Sequence, residues 1–263
     1  MDLGIKEKVA IVCASSQGLG KATALGLAKE GAKVVIFARH KKDIDEAAHE
    51  ISSSMNSEIL PIVADVTKTE DIQKVVKTTI EKFGTVHILV NNAGGPPVAN
   101  FAELTDDMWM NGVSLTMMSL IRMTREVLPH MLKNKWGRII NIASLTAKQP
   151  INDLIISSTL RPGILGLAKI LSNQYSKFGI LVNNVCPGHY LTKRQEEIIK
   201  KRSTERNITA EEYIQQHSNE IPIGRFGKPE ELANMIVFLC SEKASYVTGS
   251  TISVDGGLVK GLF

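Results

Sequence analysis

The sequence predicts an α/β fold, a single doubly wound domain with a seven-stranded parallel sheet and helices on both faces. Short β-branched runs alternate with longer amphipathic stretches along all 263 residues. These runs are apolar throughout rather than alternating in polarity, as strands covered on both faces are. The first run also enters a glycine-bearing turn that opens a helix, the arrangement that presents backbone amides to an anion.

In chain order, the predicted strands are Val9 to Cys13, Lys33 to Ala38, Ile59 to Ala64, Val86 to Asn91, Arg138 to Ala143, Leu181 to Val185 and Thr251 to Val254. A helix is expected from Gly18 to Glu30, with Gly31 as its stop. A second begins at Thr69 with Glu70 and Asp71 in its first turn and ends at Gly84. A third starts near Pro229, where Glu230 and Glu231 complement the helix dipole. Thr192 to Glu220 breaks the rhythm: it is polar, rich in Lys, Arg, Glu and Gln, and has no strand pattern. It is either a helical excursion or a lid. Because it follows the carboxyl end of a strand, where ligands of open α/β sheets bind, residues 192–220 read as a substrate lid within one domain spanning 1–263.

Composition narrows the function classes. Hydrophobic residues make up 43%, charged residues 22% and aromatics 5%, with a net charge of +4. No basic cluster interleaved with aromatics marks a nucleic-acid partner. No run is long and apolar enough for a bilayer, and the opening residues Asp2, Lys6, Glu7 and Lys8 are not a signal core. Cys13, Cys186 and Cys240 fit neither a zinc spacing nor a disulfide framework. A soluble, cytoplasmic protein without nucleic-acid or membrane partners is expected.

The motifs then converge. The first strand runs into Cys13-Ala14-Ser15-Ser16-Gln17-Gly18-Leu19-Gly20. Asp65-Val66 ends the third strand, Asn91-Asn92-Ala93-Gly94 the fourth, and Pro187-Gly188 follows the sixth, with Thr192 four residues beyond Gly188. The segments Gly224-Arg225-Phe226-Gly227-Lys228-Pro229-Glu230-Glu231 and Val254-Asp255-Gly256-Gly257 complete the series. In this order the chain resembles the short-chain dehydrogenase/reductase family, in its ketoacyl-reductase and glucose-dehydrogenase branch, from end to end. The resemblance implies a Rossmann domain binding a nicotinamide dinucleotide through Ala14, Ser15, Ser16, Gln17, Gly18, Leu19 and Gly20. It implies further contacts from Asp65 and Val66 at adenine, from Asn92, Ala93, Gly94, Pro187 and Gly188, and from Thr192 at the carboxamide. One departure stands out: Cys13 and Ala14 replace the Thr and first Gly of the family loop, and Ala is costlier than Gly where φ is positive.

At the end of the second strand, the place of an acidic ribose ligand is taken by Ala38, and Arg39 follows, then His40, Lys41 and Lys42. Arg can accept a 2′-phosphate, so NADP is the expected cofactor, with NAD the alternative if Arg39 only stacks on adenine.

The catalytic positions depart further. The resemblance implies a Ser, a Tyr thirteen residues on, a Lys four beyond it, and an Asn on an earlier helix. Here Ser144 matches the Ser, Ser157 stands for the Tyr, Arg161 for the Lys and Thr116 for the Asn, Asn111 lying too early. The downstream run Gly163 to Lys169 anchors the alignment. A Ser hydroxyl is a far weaker acid than a phenol with pKa of roughly 10, and Arg is not a point-charge equivalent of Lys. Pro162 predicts a helix that starts late, near Leu160 or Arg161, with Ser158 or Thr159 as its cap. His189 is a candidate proton source beside Tyr190, weighed against simply lining the cleft. Lys148 and Asp153 read as rim residues. The six histidines are scattered among separate elements, so no metal site is expected.

The sequence therefore predicts an NADP(H)-dependent oxidoreductase acting on a carbonyl or alcohol, similar to 3-oxoacyl reductases or to sugar and alcohol dehydrogenases, with Ser144, Ser157 and Arg161 at the reacting centre. The competing reading is a nucleotide-binding homologue impaired in catalysis, serving as sensor or scaffold. By resemblance a homotetramer, or a homodimer, is expected. It would pair the helices around Met108 to Asn134 and Ile164 to Lys177 and bury the apolar tail Gly257 to Phe263.

Overall fold

Seven parallel strands form the sheet of the computed structural model, which describes residues 1–54 and 57–262. They are β1 (Val9–Val12), β2 (Lys33–Ala38), β3 (Ile59–Val63), β4 (Ile88–Asn91), β5 (Gly137–Ile142), β6 (Ile180–Pro187) and β7 (Thr251–Val254). The spatial order is β3-β2-β1-β4-β5-β6-β7, so the strand order reverses between β1 and β4. Ligands bind outside the carboxyl ends at such a switch point. The expected strands are all present; β6 runs on through Pro187, beyond the expected Leu181 to Val185.

Successive strand residues face opposite layers. Ala10 and Val12 pack with α1 (Gly18–Lys29), α2 (Lys41–Ser54) and α9 (Pro229–Leu239). Ile11 and Cys13 pack with α3 (Thr69–Phe83), α5 (Ser119–Asn134) and α6 (Ile155–Tyr175). Gly84 stops α3 in the left-handed conformation at φ 79°, as its position predicts. Before α5, α4 (Asp106–Gly112) continues into a π-helical turn at Val113–Met118, which the periodicity does not reveal.

A row of buried amides crosses the sheet near its carboxyl edge. Asn91, Asn141, Asn184 and Thr251 share one register on β4 to β7. Asn91 Nδ2 donates to Asn141 Oδ1 (3.0 Å), Asn141 Nδ2 to Asn184 Oδ1 (2.9 Å), and Asn184 Nδ2 to Thr251 Oγ1 (3.1 Å). Because slipping one strand would orphan these groups, the row pins the pairing just below the site.

The late start expected for the helix bearing Pro162 is incorrect. α6 begins at Ile155, and its N-cap is Leu154 rather than Ser158 or Thr159. Ile156, Ser157, Arg161 and Ile164 are buried along one face, and that packing overrides the proline. Pro162 itself is exposed, so the carbonyl deprived of its N–H partner lies toward water. Ser157 is therefore one helical turn from Arg161 and is not displaced.

Residues 192–220 form two helices, α7 (Lys193–Glu205) and α8 (Ala210–Glu220), with an apolar cluster of their own: Ile199, Tyr213, Ile221 and Phe226. Leu258 of the C-terminal tail packs against this cluster, and Lys260 N donates to Gln149 Oε1. That stretch of the tail is thus engaged within its own chain, while Phe263 lies outside the described residues. Among the described residues no helix is long and apolar enough to cross a membrane.

Candidate active site

The cleft has a nucleotide half and a catalytic half. In the first, β1 ends in a turn from which α1 starts at Gly18. Gln17 holds the N-cap position without a side-chain capping bond, and the first turn carries no acid. The amides at this helix start therefore offer unpaired donors to an anion. Only glycine fits at position 20, where a Cβ would lie 2.5 Å from the Ala14 carbonyl and 2.9 Å from Asn92 Nδ2. Asn92 Nδ2 in turn donates to the carbonyls of Cys13 (3.3 Å) and Ala14 (3.2 Å), tying the β4 end to this loop. Ala14 adopts φ 46°, so the residue that replaces glycine does sit in left-handed backbone.

The other expected nucleotide residues divide by exposure and partners. Ser15 is fully buried, its hydroxyl donating to Val12 O and accepting from Phe37 N. Its amide donates to Phe37 O, so it braces β1 to β2 and cannot face a ligand. Ser16, Gly18 and Leu19 border the opening, and Gly94 stands over open space. Arg39 and His40 are exposed, and Arg39 has no side-chain hydrogen bond or ion pair among the described residues, whereas Lys41 pairs with Asp45. Asp65 Oδ1 accepts from the amide (2.9 Å) and hydroxyl (2.8 Å) of Thr67. Thr192 Oγ1 accepts from Gln195 N and caps α7, which leaves its proton free to donate. Its methyl group faces Gly18 across the opening.

In the catalytic half, Ser144 follows β5, and its Oγ accepts from Thr146 N (3.1 Å). Thr146 Oγ1 lies 2.9 Å from Ser157 Oγ, and Arg161 Nε donates to that same Ser157 Oγ at 3.0 Å. Arg161 Nη1 donates to the carbonyls of Ile142 and Ala143. No carboxylate forms an ion pair with this buried guanidinium among the described residues. Burial lowers its pKa to about 10, which still leaves it charged at neutral pH. Thr146 carries no motif, so its role could not be read in advance.

Beneath Arg161 lies a chamber of about 20 Å³, lined by Val66, Asn91, Asn92, Thr116 and Ser119 among others. It has room for one water molecule. Thr116, on the π-helical turn, is buried with its Oγ1 lacking any partner, unlike the other buried side-chain polar atoms among the described residues.

A cleft of about 190 Å³ joins the halves, running from Leu19, Asn92 and Thr192 to Ser144, Ser157 and Arg161. Pro187 and Gly188 form its wall. His189, the other candidate proton source, also lines it. Burial, reinforced by the nearby charges of His217 and Arg202, lowers its pKa to about 4, and its ring stacks on Phe226 at 5.3 Å. Tyr190 turns its hydroxyl to Val254 O (2.7 Å), with its pKa raised by burial. Asp153, expected at the rim, receives Arg202 of α7 at 2.6 to 2.9 Å; Lys148, expected there too, closes the short turn after Ser144. Arg194 Nη2 also donates to Pro96 O, so the 192–220 segment is latched to both rims. The described residues contain no cluster of three or more His, Cys, Asp or Glu arranged for a metal.

The chain as a whole has known relatives. Residues 13–259 match the family model described as enoyl-(acyl carrier protein) reductase. The chain is 31% identical to the 3-oxoacyl-[acyl-carrier-protein] reductase FabG of Thermotoga maritima, over 97% of this chain and 99% of the relative. Its structure is similar to L-sorbose reductase from Gluconobacter frateurii, complexed with NADPH and L-sorbose, with a TM-score of 0.95 and 37% identity over 100% of both chains. It is also similar to the NADPH-bound short chain oxidoreductase of Pseudomonas aeruginosa PAO1 containing an atypical catalytic center, with a TM-score of 0.89 and 31% identity over 98% of this chain and 99% of that one. The chain belongs to the short-chain dehydrogenase/reductase family.

Proposed function

We propose that the protein is an NADPH-dependent oxidoreductase that moves a hydride between nicotinamide and a small-molecule carbonyl or alcohol. The observation that carries this reading is the continuity of one cleft from the uncapped start of α1 to Ser144, Ser157 and Arg161. Ser16 to Gly20 hold the diphosphate, Arg39 the 2′-phosphate, and Asp65 and Val66 flank adenine. Asn92, Ala93 and Gly94 line the ribose side, Pro187 and Gly188 the nicotinamide side, and the free Thr192 proton meets the carboxamide. The bound dinucleotide supplies the hydride. Ser144 orients the reacting oxygen, Ser157 donates a hydrogen bond to it, and Arg161 holds Ser157 and the nicotinamide ribose. Residues 192–220 cover the substrate. NADPH-bound relatives such as L-sorbose reductase support the cofactor choice, and ketoacyl and sugar reductases bracket the substrate.

A second reading, nucleotide binding without turnover, is favoured by Ser157, Arg161 and Thr116 standing where the family resemblance implies Tyr, Lys and Asn. Loss of general acid–base assistance is worth about 10²–10⁴ in rate. Titration of NADPH fluorescence, followed by a turnover screen across ketones, ketoacyl thioesters and ketoses, separates the two. Quenching or enhancement with turnover is expected. Tight binding with no turnover on any of them selects the second reading.

Exposed Ile170, Phe178 and Phe238 on the α6 and α9 sides support a homotetramer or homodimer, checked by analytical ultracentrifugation. The same reading takes the protein to be cytoplasmic, which fractionation of the source cells tests.

A further inference from the structure

Three hydroxyl residues, Ser144, Thr146 and Ser157, line the catalytic half of the cleft, and Thr146 is the one no motif announces. It sits in the short 3₁₀ turn Leu145–Ala147, which Ser144 caps by accepting from Thr146 N at 3.1 Å. Backbone bonds close the turn as well: Ala147 N donates to Ser144 O at 3.0 Å, and Lys148 N and Gln149 N both donate to Leu145 O at 2.9 Å. The turn therefore uses the amide of Thr146 and has no use for its hydroxyl. That hydroxyl is nonetheless buried, and its one hydrogen-bond contact among the described residues is Ser157 Oγ at 2.9 Å. A β-branched side chain is stiff at χ1, so the contact is held by a rigid group.

Counting protons and lone pairs shows what the contact can do. A serine hydroxyl has one proton and two lone pairs, and a guanidinium can only donate. Arg161 Nε–H therefore fills one lone pair of Ser157 Oγ. Thr159, on the same helix, donates its hydroxyl back to Ile155 O, but Ser157 makes no such bond among the described residues. Its proton is left with two destinations, Thr146 Oγ1 or the cleft. If Ser157 donates to Thr146, the proton is spent within the protein. If Thr146 donates to Ser157, both lone pairs are filled and the Ser157 proton points into the cleft. A carbonyl oxygen can only accept, so its arrival selects the second arrangement. Linked hydrogen bonds polarise one another, and Ser157 is then a stronger donor than a lone serine.

We propose that Thr146 is a positioning residue, donating to Ser157 when a carbonyl occupies the cleft and so aiming the Ser157 proton at the substrate oxygen. This rests on the hydride-transfer reading above and adds to it the group that directs Ser157. The reduction itself keeps its ordinary balance. One C–H bond forms at the carbonyl carbon as the dihydronicotinamide is oxidised, the C=O π pair moves onto oxygen, and water supplies the proton of the alcohol. Negative charge grows on the oxygen that Ser157 meets, where a preorganised donor acts most strongly. An interaction that strengthens as this charge develops is read in kcat more than in KM.

The test uses the full-length chain and ethyl acetoacetate, isotopically labelled at its keto carbon, as the probe. With NADP⁺ present no reduction occurs, and isotope-edited infrared spectroscopy reads the keto C=O stretch. The band should fall to lower frequency than in water. The fall should shrink in Thr146→Val, return in Thr146→Ser and vanish in Ser157→Ala. With NADPH, Thr146→Val should lower kcat about three- to tenfold, the size of one hydrogen bond, with KM unchanged within about twofold. Thr146→Ser should restore kcat. Ser157→Ala should cost on the order of 10²-fold, and adding Thr146→Val to it should cost nothing further, because Thr146 acts through Ser157. Wild-type kcat and band position in Thr146→Val, an equal loss in Thr146→Ser, or an undiminished cost of Thr146→Val in the Ser157→Ala background would each overturn the proposal and leave the hydride-transfer reading standing. If NADPH binds but the wild-type chain does not reduce this ketone, the infrared band decides, and an unshifted band overturns the proposal. Absence of any NADPH binding overturns both.

Discussion

Two buried polar clusters lie side by side at the carboxyl edge of the sheet and differ in one respect. In the amide row, each donor from Asn91 to Asn184 finds its acceptor, ending on Thr251. Around Arg161, a full charge goes without a counter-charge and Thr116 Oγ1 without any partner. Fully satisfied polar groups in a low-dielectric interior specify structure. Unsatisfied ones persist where something else is to be bound. The row therefore serves as architecture, whereas the Arg161 cluster has the character of the proposed site, although both are buried, polar and a few residues apart in sequence.

Substitutions should break this contrast in opposite directions. The largest effect is expected from Asn141→Leu, which orphans Asn184 Oδ1 and takes from Asn91 Nδ2 one of its two acceptors, leaving it Thr124 Oγ1. At about 1–3 kcal/mol for each buried hydrogen bond left unmade, urea denaturation should register a loss of roughly 2–6 kcal/mol. Next comes acid sensitivity. His87 is lowered to about 4 by burial and by the charge of Lys8, and His189 is lowered similarly. Because the unfolded chain takes up these protons first, near the ordinary histidine value of about 6.5, stability should be full above that pH. It should fall as the pH drops from there toward 4, and His87→Gln should flatten the fall in a melting-temperature series. Thr116→Val should do the reverse of the ladder substitution. Removing an unpartnered hydroxyl is expected to be neutral or to stabilise by about 1 kcal/mol in the same urea assay. A loss like that of Asn141→Leu would erase the distinction drawn here. The smallest effect belongs to Ala14→Gly. Relief of left-handed strain, about 1–2 kcal/mol, is opposed by the greater freedom of an unfolded glycine, about 0.5–1 kcal/mol. A net gain of about 0.5 kcal/mol is expected, read as a small rise in melting temperature.

The sheet was legible because its strands are continuous apolar runs and its turns carry glycine or helix-capping chemistry at the expected places, as at Gly18, Gly84 and Pro229. The start of α6 was not. Local rules put a break at Pro162, whereas buried Ile156, Ser157, Arg161 and Ile164 hold the helix through it. The candidate site was legible at the motif positions Ser144, Ser157 and Arg161. It was not legible at Thr146, whose hydroxyl meets Ser157 only because a short turn folds it back. Ser15 misled in the opposite sense, since sitting within a motif does not reveal that its hydroxyl and amide are already engaged by β1 and β2. His189 was ambiguous for a related reason, because proximity to a cleft says nothing about solvation, and burial keeps its ring neutral.

The segment over the cleft carries its own small interior, with Tyr213 and Phe226 at its centre and Leu258 pressed against it. A segment with an inside of its own is expected to move, where it moves, as a plate instead of unravelling as a thread. Its hold on the entrance is then concentrated in a few polar fasteners at the rim, Arg202 on Asp153 and Arg194 on Pro96. Ligand dwell time should accordingly respond to salt and to changes at those fasteners more than to changes within the plate.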